Sequence, residues 1–392
     1  MRESWRWFGP NDPVSLAEIR QTGATDIVSA LHDIPIGAVW PREAIKAHKA
    51  LIEAENAAMA PLHWTVVESI PVHDDIKLAL PGHEQYVENW IDTLKNLASE
   101  GVKTICYNFM PVIDWTRTDL KHLTPNGAYT LRFDQNKFAA FDLFILDREN
   151  AEQDYSRADI ARAKSAFEAM SEANRIELTQ TIIAGLPGKM TDAYTLDDFR
   201  MALARYKNVD HAALRKNLFS FLDAVSPQAE QAGVKLAIHP DDPPWDMFGL
   251  PRIICTPDDL DILFNEVPSP ANGMTLCVGT YGSRPDNDLP QMALDYASRI
   301  HFAHLRGVSL YPESPKTFEE ASHLDSDTDM VGIIRNLLSN EKALDRQIFI
   351  RPDHGYQMMG DQTRSSNPGY SAIGRMKGLA EVRGVIKALS AT

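Results

Sequence analysis

The 392-residue chain is predicted to fold as an α/β protein: a (β/α)8 barrel with a largely helical insertion after its third strand region. Three observations lead there. Apolar, β-branched runs alternate with segments of helical periodicity, the pattern of a parallel sheet with crossover helices. About eight such runs can be counted, the number that closes a barrel. Four well-separated runs also end in side chains suited to metal binding. Strand ends converge in a closed sheet, whereas an open doubly wound sheet, the alternative fold, binds ligands mainly at one switch point.

Asp26-Ile27-Val28-Ser29-Ala30-Leu31 reads as the first strand, without the Gly-x-Gly-x-x-Gly turn that would favour the open sheet. Residues 42 to 55, rich in Ala, Ile, Lys and Glu, read as a helix. Trp64-Thr65-Val66-Val67 is the second strand, and residues 86 to 98 form a helix that stops before Gly101. Lys103-Thr104-Ile105-Cys106-Tyr107 is the third strand, ending near Asn108. From residue 115 to 209 the rhythm breaks. Residues 138 to 146 are aromatic and aliphatic, and 157 to 176 and 196 to 206 read as helices. This stretch is read as an insertion within a single barrel domain spanning 1 to 392, placed to shape substrate access. Within it, Gly185-Leu186-Pro187-Gly188-Lys189 lacks the spacing of a phosphate loop and reads as a turn.

The rhythm resumes with a helix over 211 to 231, closed by Gly233, and the strand Val234-Lys235-Leu236-Ala237-Ile238. Pro251-Arg252-Ile253-Ile254-Cys255 reads as a degenerate fifth strand. Thr256 then caps a helix, with Pro257 at its first position and Asp258 and Asp259 in its first turn. Strands at 275 to 278, 301 to 305 and 346 to 352 follow, and residues 373 to 389 form the last helix.

Bulk properties narrow the partners. A formal charge of −15 argues against nucleic acid and against an anionic membrane surface. Three cysteines in or beside apolar runs cannot form a disulfide framework and suit a reducing compartment. There is no signal-like apolar segment and no run of bilayer length, so a cytoplasmic protein is expected.

The candidate chemistry lies at strand ends. Arg351-Pro352-Asp353-His354-Gly355 follows Gln347-Ile348-Phe349-Ile350, His239 follows Ile238, Cys277 closes Met274-Thr275-Leu276, and His304 ends Ile300-His301-Phe302-Ala303. His304 shares a face with Phe302, so His301 should point to the other side of the sheet. Asp353 and His354 are adjacent and should diverge, one free to bind metal while the other faces substrate. Arg306 and Asn108, also near strand ends, are the expected substrate-binding residues.

Together with Trp5-Arg6-Trp7-Phe8-Gly9-Pro10-Asn11-Asp12-Pro13-Val14, Ala30-Leu31-His32-Asp33-Ile34-Pro35, Tyr107-Asn108-Phe109-Met110-Pro111-Val112 and His239-Pro240-Asp241-Asp242-Pro243-Pro244, these motifs resemble the mannonate dehydratase family. Those lyases convert D-mannonate to 2-keto-3-deoxy-D-gluconate and water in hexuronate and glucuronate breakdown. The resemblance implies a xylose-isomerase-like barrel with one Mn²⁺ or Fe²⁺ per chain on His239, Cys277, His304 and Asp353. It implies an acid/base pair at His354 and Tyr370, with the order of their roles open. Removing a proton α to a carboxylate builds negative charge that a divalent ion stabilises, and losing the 3-hydroxyl needs an acid. Four ligands leave about two octahedral positions for substrate, which Mn²⁺ and Fe²⁺ accept more readily than Zn²⁺. The expected partners are D-mannonate and further copies of the chain, as a homo-oligomer such as a dimer. A metal-dependent sugar isomerase, a silent sugar-acid binder and a structural zinc barrel are the alternatives. The one-metal set counts against the first and the acid/base pair against the second.

Overall fold

The computed structural model describes residues 1–54, 59–184 and 195–391, so Gly185-Leu186-Pro187-Gly188-Lys189 lies outside the described residues. Twelve strands are present among them: β1 (Arg2–Arg6), β2 (Asp26–Ser29), β3 (His63–Glu68), β4 (Thr104–Tyr107), β5 (Asp119–Leu123), β6 (Tyr129–Phe133), β7 (Lys235–Ile238), β8 (Asn272–Cys277), β9 (Ile300–His304), β10 (Gly307–Leu310), β11 (Phe318–Ala321) and β12 (Phe349–Arg351). Eight of them close a parallel barrel in the order β1-β12-β9-β8-β7-β4-β3-β2. The expected barrel is therefore the fold.

One of the eight strands differs from expectation. Residues 251 to 255 form a buried loop, not a strand. Its backbone N–H groups at Ile253 and Ile254 donate to the Asp241 carboxylate at 2.7 and 2.8 Å, so a side chain satisfies what a sheet ladder otherwise would. The eighth strand is β1, which sits between β12 and β2. Two of its polar residues are buried with partners: Ser4 donates to the Ile350 carbonyl at 2.8 Å, and Arg6 pairs with Glu68 at 3.0 Å.

Local signals set the element ends. Thr256 and Asp259 form a reciprocal capping box at the start of helix Pro257–Glu266. Helix His211–Ala232 ends at Gly233 in the left-handed conformation that glycine adopts without steric cost. Inside the barrel, Val28, Val66, Cys106, Ala237 and Phe302 form one apolar layer. The site sits above it, at the C-terminal ends of the strands.

A second, antiparallel sheet in the order β10-β11-β6-β5 covers that mouth. The hairpin β5–β6 belongs to the segment after β4, whereas β10 and β11 follow β9. Helices Arg157–Ala169, Glu172–Ala184 and Leu196–Arg205 lie in the remaining described part of that segment. Phe133, Phe138, Phe141 and Phe199 from the segment share a core with Trp245, Phe248, Val308 and Phe318 from the loops after β7 and β9. The segment is thus bound to the barrel mouth by its own apolar core. No helix among the described residues is long and apolar enough to cross a membrane.

Candidate active site

Three strand ends deliver a compact donor cluster. His239 just after β7, Cys277 at the end of β8 and His304 at the end of β9 place one donor atom each within 4.8 Å of one another. The Pro240 carbonyl engages His239 Nδ1 at 2.7 Å, which commits a proton to that nitrogen and leaves Nε2 as the ligand atom. His304 has the Phe302 ring beneath it, 4.7 Å between centroids, while His301 turns away and bonds the Leu236 carbonyl at 2.7 Å. His304 Nε2 is buried and without a hydrogen-bond partner. Burial opposes charge on both His239 and Cys277, yet their mutual attraction draws the thiol down to about 5 and the imidazole up to about 9. A thiolate is the form of cysteine that binds metal.

Asp353, two residues past β12, lies against this cluster. One oxygen is 3.7 Å from Cys277 Sγ and the other 3.8 Å from His304 Nδ1. The same carboxylate also pairs with Arg306 Nε at 2.7 Å and Arg351 Nη1 at 2.6 Å. Burial raises its pKa, but these cations dominate and hold it well below the usual carboxylate range. His354 does not diverge fully from Asp353: its Nδ1 meets Glu320 Oε2 at 2.7 Å, while its Nε2 stays 3.9 Å from Asp353 Oδ1. Tyr370 stands edge-on to His354, 4.9 Å between ring centroids, and burial pushes its phenol up to about 12. Gly355 donates its N–H to the Gly369 carbonyl at 2.9 Å, and a parallel bridge joins Gly355 to Tyr370. These backbone ties fix the spacing of the His354 and Tyr370 rings.

His239, Arg306, Asp353, His354 and Tyr370 share a cavity with Glu68, Asn108, Asp114, Trp115, Asp242 and Arg351, whereas Cys277 and His304 are buried outside its lining. Asn108 Oδ1 accepts the Met110 N–H at 3.4 Å. Arg306 is fully buried, and its donors face protein carboxylates: Asp242 at 2.9 Å, Glu320, and Asp353.

Sequence reasoning did not find the rest of this charge network. Arg6 and Arg351 clasp Glu68 at the end of β3, the second of them at 2.9 Å. Arg117 enters from the segment after β4 and pairs with Asp242 at 2.7 Å and Glu320 at 2.8 Å. Four guanidinium groups thus alternate with four carboxylates, and their charges cancel. Glu320 sits on β11, whose Phe318-Glu319-Glu320-Ala321 run alternates in burial. That alternation was the one signal available, and four residues of it are too few to stand out.

A closed parallel barrel with thiolate, imidazole and carboxylate groups gathered at its C-terminal mouth defines a (β/α)8 enzyme acting on a small polar substrate. Comparison with known proteins narrows this. The family model for D-mannonate dehydratase (UxuA) matches residues 1–392, and the chain belongs to that family of hydro-lyases. The chain is 51% identical over 397 residues to a mannonate dehydratase of Marinomonas sp. (strain MWYL1), with both chains fully covered. It is 51% identical to the mannonate dehydratase of Brucella canis, covering all of this chain and 98% of that one. The crystal structure of mannonate dehydratase from Streptococcus suis serotype 2 superimposes with a TM-score of 0.76 at 34% identity, over 100% of this chain and 94% of that one.

Proposed function

We propose that the protein dehydrates D-mannonate to 2-keto-3-deoxy-D-gluconate and water, as a step in hexuronate and glucuronate breakdown, using one Mn²⁺ or Fe²⁺ per chain. The observation that carries the metal is the His239–Cys277–His304 cluster, in which His304 Nε2 is buried, makes no hydrogen bond and lies 3.6 Å from Glu68 Oε2. Asp353 stands beside it as the fourth ligand. Charge supports the same reading. The cavity guanidinium groups are already committed to protein carboxylates, so a sugar-acid anion finds no spare arginine there. His239, Cys277, His304 and Asp353 would hold a divalent ion, which would supply Lewis-acid stabilisation to the substrate carboxylate.

The protein groups divide the proton work. The Glu320 carboxylate 2.7 Å from His354 Nδ1 supports a proton on that nitrogen, with Nε2 as the base that takes the C2 proton. Tyr370 stays protonated at neutral pH and is the acid for the leaving hydroxyl. The C2–H electron pair forms the C2=C3 bond as C3–O breaks, and the hydroxyl leaves as water with the phenolic proton. The enol then gains a proton at C3 from the imidazolium and gives its O2 proton to the phenolate, which restores both groups. Arg306 and Asn108 line the cavity. Arg306 acts through Asp353 and Asp242, and Asn108 meets the sugar hydroxyls.

The test is a keto-acid assay on metal-stripped protein, given D-mannonate with Mn²⁺, Fe²⁺ or Zn²⁺ under anaerobic conditions. Product with Mn²⁺ or Fe²⁺ alone is expected. Stoichiometric metal binding without product from any metal would refute the reading.

A further inference from the structure

Glu320 lies outside the barrel, yet it touches the group proposed as the C2 base. It arrives on β11, a strand of the mouth-covering sheet, and it is buried. Its two oxygens have separate duties. Oε2 faces His354 Nδ1 at 2.7 Å. Oε1 accepts from Arg117 Nη2 at 2.8 Å and Nε at 3.2 Å, and from Arg306 Nη1. The guanidinium donors of Arg117 and Arg306 therefore fix which way the carboxylate is turned. Thr130 of β6 donates to the Glu320 carbonyl at 2.7 Å, so the backbone is pinned as well.

We infer that Glu320 is a positioning residue that locks His354 in the Nδ1–H tautomer, with the Nε2 lone pair facing the cavity, and that the second sheet exists in part to deliver it. The inference rests on the reading of His354 as the base. Glu320 is not among the residues that line the cavity. It acts through the imidazole, as the buried carboxylate of a serine-protease triad holds its histidine. It also faces the imidazolium that forms once the C2 proton is taken.

The arrangement makes Glu320→Gln an unusually sharp test. The amide has nearly the shape of the carboxylate, but only one of its ends accepts hydrogen bonds. Arg117 and Arg306 present donors alone, so the amide oxygen must turn to them. The NH₂ then points at His354 Nδ1 and makes that nitrogen an acceptor. The proton moves to Nε2, and the base is blocked while the fold keeps its contacts. Glu320→Asp shortens the side chain but keeps an anion that only accepts.

The experiment uses metal-loaded full-length enzyme, with kcat, KM and metal content measured on D-mannonate and on its 2-deuterated form. For Glu320→Gln, kcat should fall by about 10²- to 10⁴-fold, the usual worth of general acid–base catalysis. KM should change by less than about threefold, metal content should stay at the wild-type value, and the deuterium effect on kcat should rise. Glu320→Asp should recover a large part of the lost kcat. Unchanged kcat in Glu320→Gln overturns the inference. So does a fall in kcat that simply tracks lost metal or lost folded protein, with no change in the isotope effect. Absence of turnover in the wild-type enzyme would instead refute the proposed reaction and is distinguishable from both.

Discussion

Replacing Arg117 by methionine tests whether the segment after β4 is part of the active-site architecture. Arg117 is wholly buried. It binds Asp242 through Nη1 at 2.7 Å and Nη2 at 3.2 Å, and Glu320 through Nη2 at 2.8 Å. Its guanidinium lies 4.8 Å from the Trp115 ring centre and 4.9 Å from that of Phe318. Methionine keeps the packing on those rings but removes the charge. Breaking a buried ion pair costs about 3–5 kcal/mol, because the partner is left buried and uncompensated. Here both carboxylates keep Arg306, so the lower end, about 3 kcal/mol, is expected. With about 2.1 cal/mol/K of unfolding entropy per residue, 392 residues give roughly 0.8 kcal/mol/K, and the melting temperature should drop by about 4 °C. Calorimetry of Arg117→Met reads this directly. The surface pair Arg162–Asp159 serves as control, since Arg162→Met should cost well under about 1 kcal/mol. Equal, small shifts in both variants would refute the claim that Arg117 anchors the segment to the site.

Three further outcomes are expected. His354→Asn should keep its metal, measured by elemental analysis, and lose turnover by at least about 10²-fold; full activity would dismiss His354 as the base. Cys277→Ser should lose metal affinity, because an alcohol does not ionise as the thiol does; wild-type metal content after dialysis against a chelator would remove Cys277 from the ligand set. Stability should fall on acidification below the ordinary histidine range. Burial lowers the pKa of His301 to about 3 and of His323 to about 4, so both are neutral when folded. The unfolded chain takes up their protons first, so their contribution is complete above about 6.5 and is lost as pH falls toward 4. Each can remove up to about 1.4 kcal/mol per pH unit in that window. A urea midpoint unchanged between pH 7 and 5 would contradict this.

The barrel was legible because strands buried on both faces read as continuous apolar runs. β1 escaped for the opposite reason. Arg2, Glu3, Ser4 and Arg6 look like surface residues, and the partners that let Ser4 and Arg6 be buried lie far along the chain, at Ile350 and Glu68. Residues 251 to 255 misled because an apolar run reports burial, not ladder pairing, and Asp241 takes the role of a neighbouring strand. The donors His239, Cys277 and His304 could be read because each ends a legible strand. Glu320 and Arg117 could not. They sit where two remote segments meet, Thr130 against Glu320, and no local period marks such a meeting.

The position of β1 between β2 and β12 also bears on how the chain is made. β2 follows closely, but β12 pairs at Phe349 with Arg2, several hundred residues earlier. At about 5–20 residues per second, the ribosome needs roughly 20 to 70 s to go from one to the other. Through that interval one side of β1 is an open sheet edge, able to pair with other nascent chains. The acidic and basic side chains of Arg2 and Glu3, beside that edge, are the type that discourages such pairing. Barrel closure, and with it the arrival of Asp353 and His354, is therefore a late event that no product of translation ending before β12 can reach.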